Sequence, residues 1–203
     1  MDTHQLTLDL LRHGETTAGK VFLGRSDPAL TELGRQQMSR ALIDVASYQQ
    51  IISSPLQRCA EFARRYAESH HLPLIIDDGL SELDFGVWDG LSSEQIWQTD
   101  ADALGRFWSD PVKYPPTNGE DMKDFYQRTV SSLQNIMADQ SLQQVLLISH
   151  GGSIRNILGW ALGLPMQQLN RLVIDHGSLS RVELTLAAGE LFPRVQFINQ
   201  IKR

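Results

Sequence analysis

The sequence predicts an α/β fold in which a mostly parallel central sheet is covered by helices on both faces, giving a three-layer sandwich. Two short apolar runs, residues 6–11 and 145–148, have the length and composition of buried strands, and stretches with helical periodicity lie between such runs. A histidine and a glycine-containing turn follow each of the two runs, at His13 and His150. Ligands of open α/β sheets bind at the carboxyl ends of the strands, so we expect both histidines at one crevice.

The same patterns place the other elements along the chain. Helix caps support several of them: Thr31 precedes the first helix, Ser54-Pro55 is typical of a helix start that puts Arg58 in the first turn, and Asn118 precedes a long apolar periodicity. The last two strands are expected to be antiparallel. The predicted elements are strands at residues 6–11, 51–53, 73–76, 145–148, 178–186 and 194–201, and helices over residues 32 to about 46, from 54, from 118 to 137, and from 151 to the stop at 163–165.

Residues 91–119 differ in composition from the rest of the chain. Aromatic residues and Pro111, Pro115 and Pro116 interrupt any long helix there. We therefore predict one domain over residues 1–203, with a cap or lid insertion at about 91–119 above the crevice. For most of the insertion we favour a surface segment packed on its own aromatic side chains. The functional alternative is a lid that selects the substrate and excludes water.

The composition limits the classes of function. The chain has 203 residues, 41% hydrophobic and 21% charged, which fits one sizeable core. A net charge of -6 argues against a general nucleic-acid or anionic-membrane surface, so attraction for phosphate must be local. The lone Cys59 cannot form an intramolecular disulfide, and the first residues have neither a basic start nor a long apolar segment. We expect a cytoplasmic protein without a nucleic-acid or membrane partner.

Four strings in the chain resemble the histidine phosphatase (phosphoglycerate-mutase-like) superfamily, in its order and over residues from about 8 to 186. They are residues 12–16 (Arg-His-Gly-Glu-Thr), 54–60 (Ser-Pro-Leu-Gln-Arg-Cys-Ala), 81–90 (Ser-Glu-Leu-Asp-Phe-Gly-Val-Trp-Asp-Gly) and 149–152 (Ser-His-Gly-Gly). The resemblance implies a phosphoglycerate-mutase-like fold and a phosphomonoesterase that works through a phosphohistidine.

The residues in these strings suit phosphoryl transfer. A neutral imidazole is a competent nucleophile near pH 7, so His13 needs orientation rather than a separate base. The guanidinium groups of Arg12 and Arg58 can bind two phosphate oxygens at once, and His150 would be a further donor beside Gly151. In the family the proton donor to the leaving group is a glutamate before the Phe-Gly-x-Trp string, which here is Glu82. The scheme needs no metal or cofactor, and the sequence contains neither a His-x-x-x-His nor a paired-cysteine spacing.

One position departs from the family pattern. Seven residues after the motif arginine, many members carry an asparagine that helps to bind the phosphoryl group, and this chain has Gly19. Either a neighbour such as Lys20 or Arg25 compensates, or turnover is slower than the family norm.

The substrate is expected to be a small-molecule phosphomonoester. Within the superfamily, residues 22–31 and 116–121 resemble the α-ribazole phosphatases of cobalamin synthesis. The implied substrate, a benzimidazole riboside 5'-phosphate, has a flat base that Trp108 and Tyr114 could stack against.

Other functions stay open. They are a broad-specificity sugar or metabolite phosphatase, a phosphoglycerate mutase, and a binding module without turnover. A mutase needs two anchored phosphates, and residues 111–119 contain only Lys113 as a cation. Trp88 is interpreted as a packing residue, and His4, His70, His71 and His176 as solvated or structural.

Overall fold

A computed structural model describes residues 3–45 and 47–202. Ala46, the predicted end of the first helix, and the ends of the predicted 1–203 domain lie outside the described residues. The elements in chain order are β1 (Thr3–Arg12), α1 (Glu32–Ala41), β2 (Gln50–Ser53), α2 (Gln57–His70), β3 (Leu74–Ile76), α3 (Ser93–Ser109), α4 (Met122–Ala138), β4 (Gln144–Ser149), α5 (Gly151–Leu162), β5 (Leu179–Ala187) and β6 (Glu190–Gln200).

Within the described residues, six strands form one sheet in the order β3-β2-β4-β1-β5-β6. The pairs β2/β3, β2/β4 and β1/β4 are parallel, while β5 runs antiparallel to both β1 and β6. The predicted α/β class, the mostly parallel sheet and the two antiparallel closing strands are therefore confirmed. β1 and β4 lie side by side in the middle of the sheet, and they bring His13 and His150 to the same edge.

The alternation of side chains along the central strands builds a core on each face of the sheet. Leu8 and Leu10 of β1 and Leu147 of β4 pack into a cluster with apolar residues of α4 and α5. Leu11 and Leu146 point the other way, into a cluster with residues of α1 and α2. Burying a leucine side chain contributes about 1.5–3 kcal/mol, so continuous apolar strands can hold helices on both faces.

Three predicted helix boundaries are wrong, each because a distant segment intervenes or a local turn is preferred. The first helix ends at Ala41, before Leu42, rather than near residue 46. The second starts at Gln57 after an uncapped Leu56, and the carboxylate of Asp27 accepts from the Gln57 N–H instead. Asn118 adopts a left-handed turn with φ +56, and Asp121 caps α4. Thr31 caps α1 as predicted, accepting from the Gly34 N–H.

The segment 91–119 contains a helix of 17 residues, whereas the prediction excluded a long helix there. Ser92 begins α3 with a capping box, and a non-helical Asp100 kinks the helix in the middle. The prolines do not interrupt the helix because all three come after its end at Ser109. Its inner face joins a third core cluster that includes Trp88, as predicted for this packing residue.

Candidate active site

A cavity of about 380 Å³ opens beside the carboxyl ends of β1 and β4. Arg12 and His13 line it from the end of β1, and Gly151 and Gly152 from the start of α5. Two features of the sequence shape this part of the cavity. A histidine follows directly after each central strand, and glycines allow the chain to turn closely there. A Cβ at Gly14 would lie 2.0 Å from the Gly34 carbonyl oxygen, so the turn after His13 requires a glycine.

His13 is held in one tautomer. Its side chain is 3% exposed, and Nδ1 lies 2.8 Å from the carbonyl oxygen of Gly14. Since a carbonyl only accepts, Nδ1 carries the proton and Nε2 keeps its lone pair. Burial lowers the pKa of His13 well below its ordinary value of 6.5, and the charges of Arg12 and Arg58 lower it further. His13 is therefore a neutral imidazole with an unprotonated Nε2.

Arg12 is fixed beside His13, and its Nε donor is unused within the described part of the chain. Its Nη1 donates to the Ile174 carbonyl at 2.6 Å and its Nη2 to His176 Nε2 at 2.9 Å. The buried Nε has no hydrogen-bond partner among the described residues. Burial lowers the pKa of Arg12 to about 10, so the group stays positive at neutral pH. An anion in the cavity would therefore be attracted by the charge of Arg12 and could accept a hydrogen bond from its Nε.

His176, interpreted from the sequence as solvated or structural, lines the cavity. Its ring centroid lies 5.3 Å from that of His13. Because Arg12 donates to its Nε2, the ring is neutral, and burial followed by the charge of Arg12 lowers its pKa to about 4. The sequence near His176 does not indicate that this residue orients Arg12, because the two residues come from opposite ends of the chain.

Arg58 and His150 are buried beside His13, but neither lines the cavity. The Arg58 guanidinium donates to the carbonyls of Leu23, Gly24 and Ser26, and its Nε donates to His150 Nδ1 at 3.2 Å. His150 Nε2 is consequently the protonated nitrogen, and it donates to Ser54 Oγ at 2.7 Å. The His13 and His150 ring centroids are 5.2 Å apart. Ser54 thus orients His150 instead of capping α2.

Glu82 enters the cavity on a short loop between β3 and α3. Its Oε1 accepts from the Leu83 N–H at 2.9 Å and its Oε2 from the Gly152 N–H at 3.0 Å. A Cβ at Gly152 would lie 2.2 Å from Glu82 Oε1, so only glycine admits the carboxylate at this place. The 8% exposed side chain is therefore positioned by α5, the helix that follows His150.

Arg128 of α4 holds the loop that carries Glu82, a contact that sequence reasoning missed. Its Nη1 donates to the carbonyls of Gly79 and Ser81, and its Nη2 to that of Glu82 at 2.9 Å. The carboxylate of Glu120 accepts from the same guanidinium at 2.6 Å. Arg128 lies within an apolar helical pattern, and nothing near it in sequence signals these partners.

The remaining predicted residues divide into two groups. Trp108, Gly19 and Lys20 line the cavity. Arg25 and Tyr114 do not line it: Arg25 is half exposed and lies 3.7 Å from Asp84, and Tyr114 packs against Lys113 and Arg106. Arg25 therefore does not compensate for Gly19 in this structure.

Several further residues line the cavity. Arg155 and Asn156 follow Gly151 and Gly152 by one helical turn, so the i, i+4 spacing was the signal that could have found them. The lining also has an apolar wall, which comprises Phe22, Leu83, Phe85, Phe107, Trp108, Met122 and Phe125.

Within residues 3–45 and 47–202, no group of three or more His, Cys, Asp or Glu side chains is arranged to hold a metal ion. In the same part of the chain, no helix has the length and apolar character needed to cross a membrane.

The fold and site together define an α/β protein with an anion-attracting cavity built around a neutral, oriented histidine. The sequence pattern of the histidine phosphatase superfamily (branch 1) matches residues 8–191, and the chain belongs to this family. The resemblance inferred from the four strings is thereby confirmed.

Relatives within the family have different names. The chain is 34% identical over 196 residues, 94% of its length, to the bifunctional protein Rv2228c of Mycobacterium tuberculosis, but spans only 53% of that relative. It is 28% identical over 183 residues to the adenosylcobalamin/alpha-ribazole phosphatase of Escherichia coli K12, covering 88% of this chain and 90% of the other. It is 32% identical over 172 residues to the glucosyl-3-phosphoglycerate phosphatase of Mycolicibacterium vanbaalenii, covering 78% and 75%. A crystal structure of a putative alpha-ribazole-5'-P phosphatase from Escherichia coli superposes with a TM-score of 0.83 at 27% identity, covering 96% of each chain. These matches support a phosphatase and leave the substrate unfixed.

Proposed function

We propose that the protein is a metal-independent phosphomonoesterase that forms a phosphohistidine on His13. The observation that carries the proposal is the tautomer of His13, whose Nδ1–H is fixed by Gly14 so that the Nε2 lone pair is available in the cavity. Burial keeps the ring neutral, which a nucleophile requires.

The proposed reaction has two steps. Nε2 of His13 attacks phosphorus, the phosphorus–oxygen ester bond breaks, and the leaving alkoxide takes a proton from the carboxyl group of Glu82. Water then attacks the phosphohistidine and gives a proton to the Glu82 carboxylate, the P–N bond breaks, and inorganic phosphate leaves. Glu82 thus acts first as general acid and then as general base.

Positive charge stabilises the phosphoryl group as it passes from the ester oxygen to His13 and then to water. Arg12 is the direct donor in this proposal, through its unpartnered Nε. For His150, we propose that Nε2–H exchanges Ser54 Oγ for a phosphoryl oxygen, because a charged acceptor makes the stronger hydrogen bond. Arg58, held by three carbonyls, orients His150 and contributes its charge.

We propose that residues 91–119 act as a cap within a single domain. Phe107 and Trp108 of α3 supply part of the apolar wall, and the half-exposed Trp108 can shift when a substrate enters. A flat, uncharged leaving group fits such a wall, which favours α-ribazole 5'-phosphate as substrate and agrees with the name of the Escherichia coli relative. A cytoplasmic location belongs to the same proposal.

A panel of phosphomonoesters tests this function. Initial rates of phosphate release would be measured for p-nitrophenyl phosphate, α-ribazole 5'-phosphate, phosphoserine, 3-phosphoglycerate and sugar phosphates, with a chelator present. We expect turnover of the aryl ester in chelator, and the highest kcat/KM for α-ribazole 5'-phosphate. His13→Ala should remove turnover, whereas His70→Ala, at an exposed histidine, should not.

Each alternative gives a different result in the same panel. Similar kcat/KM values for many esters would indicate a broad-specificity phosphatase. Phosphate transfer only in the presence of a phosphorylated primer would indicate a mutase. Binding of esters without any released phosphate would indicate a non-catalytic module and would refute the proposed reaction.

A further inference from the structure

Arg155 is a cavity residue to which the proposed reaction assigns no role. It lies on α5, one helical turn after Gly151, and faces the same cavity. Among the described residues its guanidinium makes one hydrogen bond, from Nε to the Leu172 carbonyl at 2.8 Å. That bond fixes the side chain and leaves both terminal nitrogens with their donors unused.

Arg155 and Arg12 converge on the same small residue. A Cβ built at Gly151 would lie 3.4 Å from Arg12 Nε and 3.4 Å from Arg155 Nη1. The two guanidinium groups therefore flank the glycine at the start of α5, where the helix dipole also attracts negative charge. Arg12 Nε is a buried donor that has no hydrogen-bond partner in the part of the chain that the structure describes. Two guanidinium groups, a donor without a partner among the described residues and the start of a helix lie together here, and this combination favours a bound anion.

The charged side chains that line the cavity carry more positive than negative charge. Arg12, Lys20 and Arg155 are positive, Glu82 is the one carboxylate in the lining as the structure describes it, and His13 and His176 are held neutral. Glu82 acts on both Arg12 and Arg155, and Asp175 acts on them more weakly from outside the lining. An anionic phosphoryl group suits this excess of positive charge, and the apolar side chains of the lining offer no cation to a second anionic group.

We propose that Arg155 binds the transferred phosphoryl group together with Arg12, supplying the donor that Gly19 lacks. This inference rests on the proposed phosphatase function and deepens it. The two replacements that the sequence suggested fit less well, because Arg25 lies outside the cavity and Lys20 is an exposed side chain. The apolar side chains that line the rest of the cavity fit an uncharged leaving group.

The test compares Arg155→Ala with Arg171→Ala, which removes an exposed arginine close by that does not line the cavity. Inhibition by inorganic phosphate and kcat/KM would be measured for p-nitrophenyl phosphate and for phosphoserine. Loss of a hydrogen-bonded charge should raise the Ki of phosphate about 10- to 100-fold and lower kcat/KM by a similar factor for both esters. Arg171→Ala should change neither. An unchanged Ki, or a loss confined to phosphoserine, would overturn the proposal, since Arg155 would then bind nothing or bind the leaving group.

Two further variants separate binding from a structural role. Arg155→Lys keeps a cation without the guanidinium fork and should give an intermediate Ki. Gly151→Ala places a methyl group between the two guanidinium groups on a backbone that is already helical, so stability should be kept while the Ki rises. Unchanged phosphate binding in Gly151→Ala would count against the site.

Failure of the Arg155 site and failure of the proposed phosphatase function give different results. If the wild-type protein released no phosphate from any ester, the proposed function would fail. Calorimetric titration of wild-type and Arg155→Ala with inorganic phosphate would still test the site: weaker binding by the variant supports it, and equal binding refutes it.

Discussion

Gly152 determines where the carboxylate of Glu82 can lie, so Gly152→Ala perturbs the proposed proton donor without removing it. The new Cβ would lie 2.2 Å from Glu82 Oε1 and 3.0 Å from the ring of Phe125. The carboxylate must retreat by about 1.2 Å to regain ordinary contact, and a misplacement of about 1 Å can cost about 100-fold in rate. That loss corresponds to about 2.7 kcal/mol of transition-state stabilisation.

The rate loss expected in Gly152→Ala depends on the leaving group. An alkyl phosphate needs a proton from Glu82, so its kcat should fall about 100-fold in Gly152→Ala. The p-nitrophenolate ion leaves without protonation, so the rate with p-nitrophenyl phosphate should fall far less. Single-turnover rates on the two esters give the comparison, and circular dichroism checks the fold, because overpacking costs about 1–3 kcal/mol.

Gly105→Ala is the control for this measurement, since a Cβ at Gly105 meets no atom within 4 Å. An equal loss on both esters, or no loss on the alkyl ester, would refute the assignment of Glu82 as the acid.

Three other predictions follow from the same geometry. Gly19 has open space around its Cβ position but a left-handed backbone with φ +74, which asparagine tolerates better than most residues, so Gly19→Asn should fold at some cost in stability. A recovered donor should raise kcat/KM about 3- to 10-fold on the phosphomonoester panel, and a decrease would contradict the interpretation of this position. The pKa values of buried His13 and His150 lie well below 6.5 and that of His176 is about 4, so only the unfolded chain takes up these protons as pH falls from 6.5 toward 4. The free energy of unfolding should therefore have its full value above pH 6.5 and decline below it. Urea midpoints at pH 7, 6 and 5 would show this decline, and His176→Asn should reduce it. A flat pH profile would contradict the prediction. Ser54→Ala removes the hydroxyl that orients His150 before substrate binds, so kcat/KM should fall about 10-fold, and an unchanged kcat/KM would contradict this orienting role.

The fold was largely predictable because its signals are local. Continuous apolar runs predicted the central strands β1 and β4, and their order with the intervening helices predicted a parallel sheet. Boundaries set by distant groups were not predictable. Asp27 caps the second helix from a loop thirty residues earlier in the chain, and Ser54, the predicted cap, hydrogen-bonds to His150 instead.

The candidate site was predictable where a residue follows directly from a strand end or a motif. His13 and Arg12 line the cavity for that reason, and Glu82 joins them on its loop. Arg155 had a helical spacing that was overlooked. The contacts of Arg128 and His176, by contrast, join segments far apart in sequence, and only the folded chain brings them together.

Trapping the covalent intermediate on His13 tests the central claim most directly. A radiolabelled phosphomonoester would be mixed with the protein, quenched within milliseconds, and the label mapped to a peptide. The structure predicts an acid-labile, base-stable label on the peptide that contains His13, present in His70→Ala and absent in His13→Ala. Turnover without any such label, or a label on another residue, would contradict it.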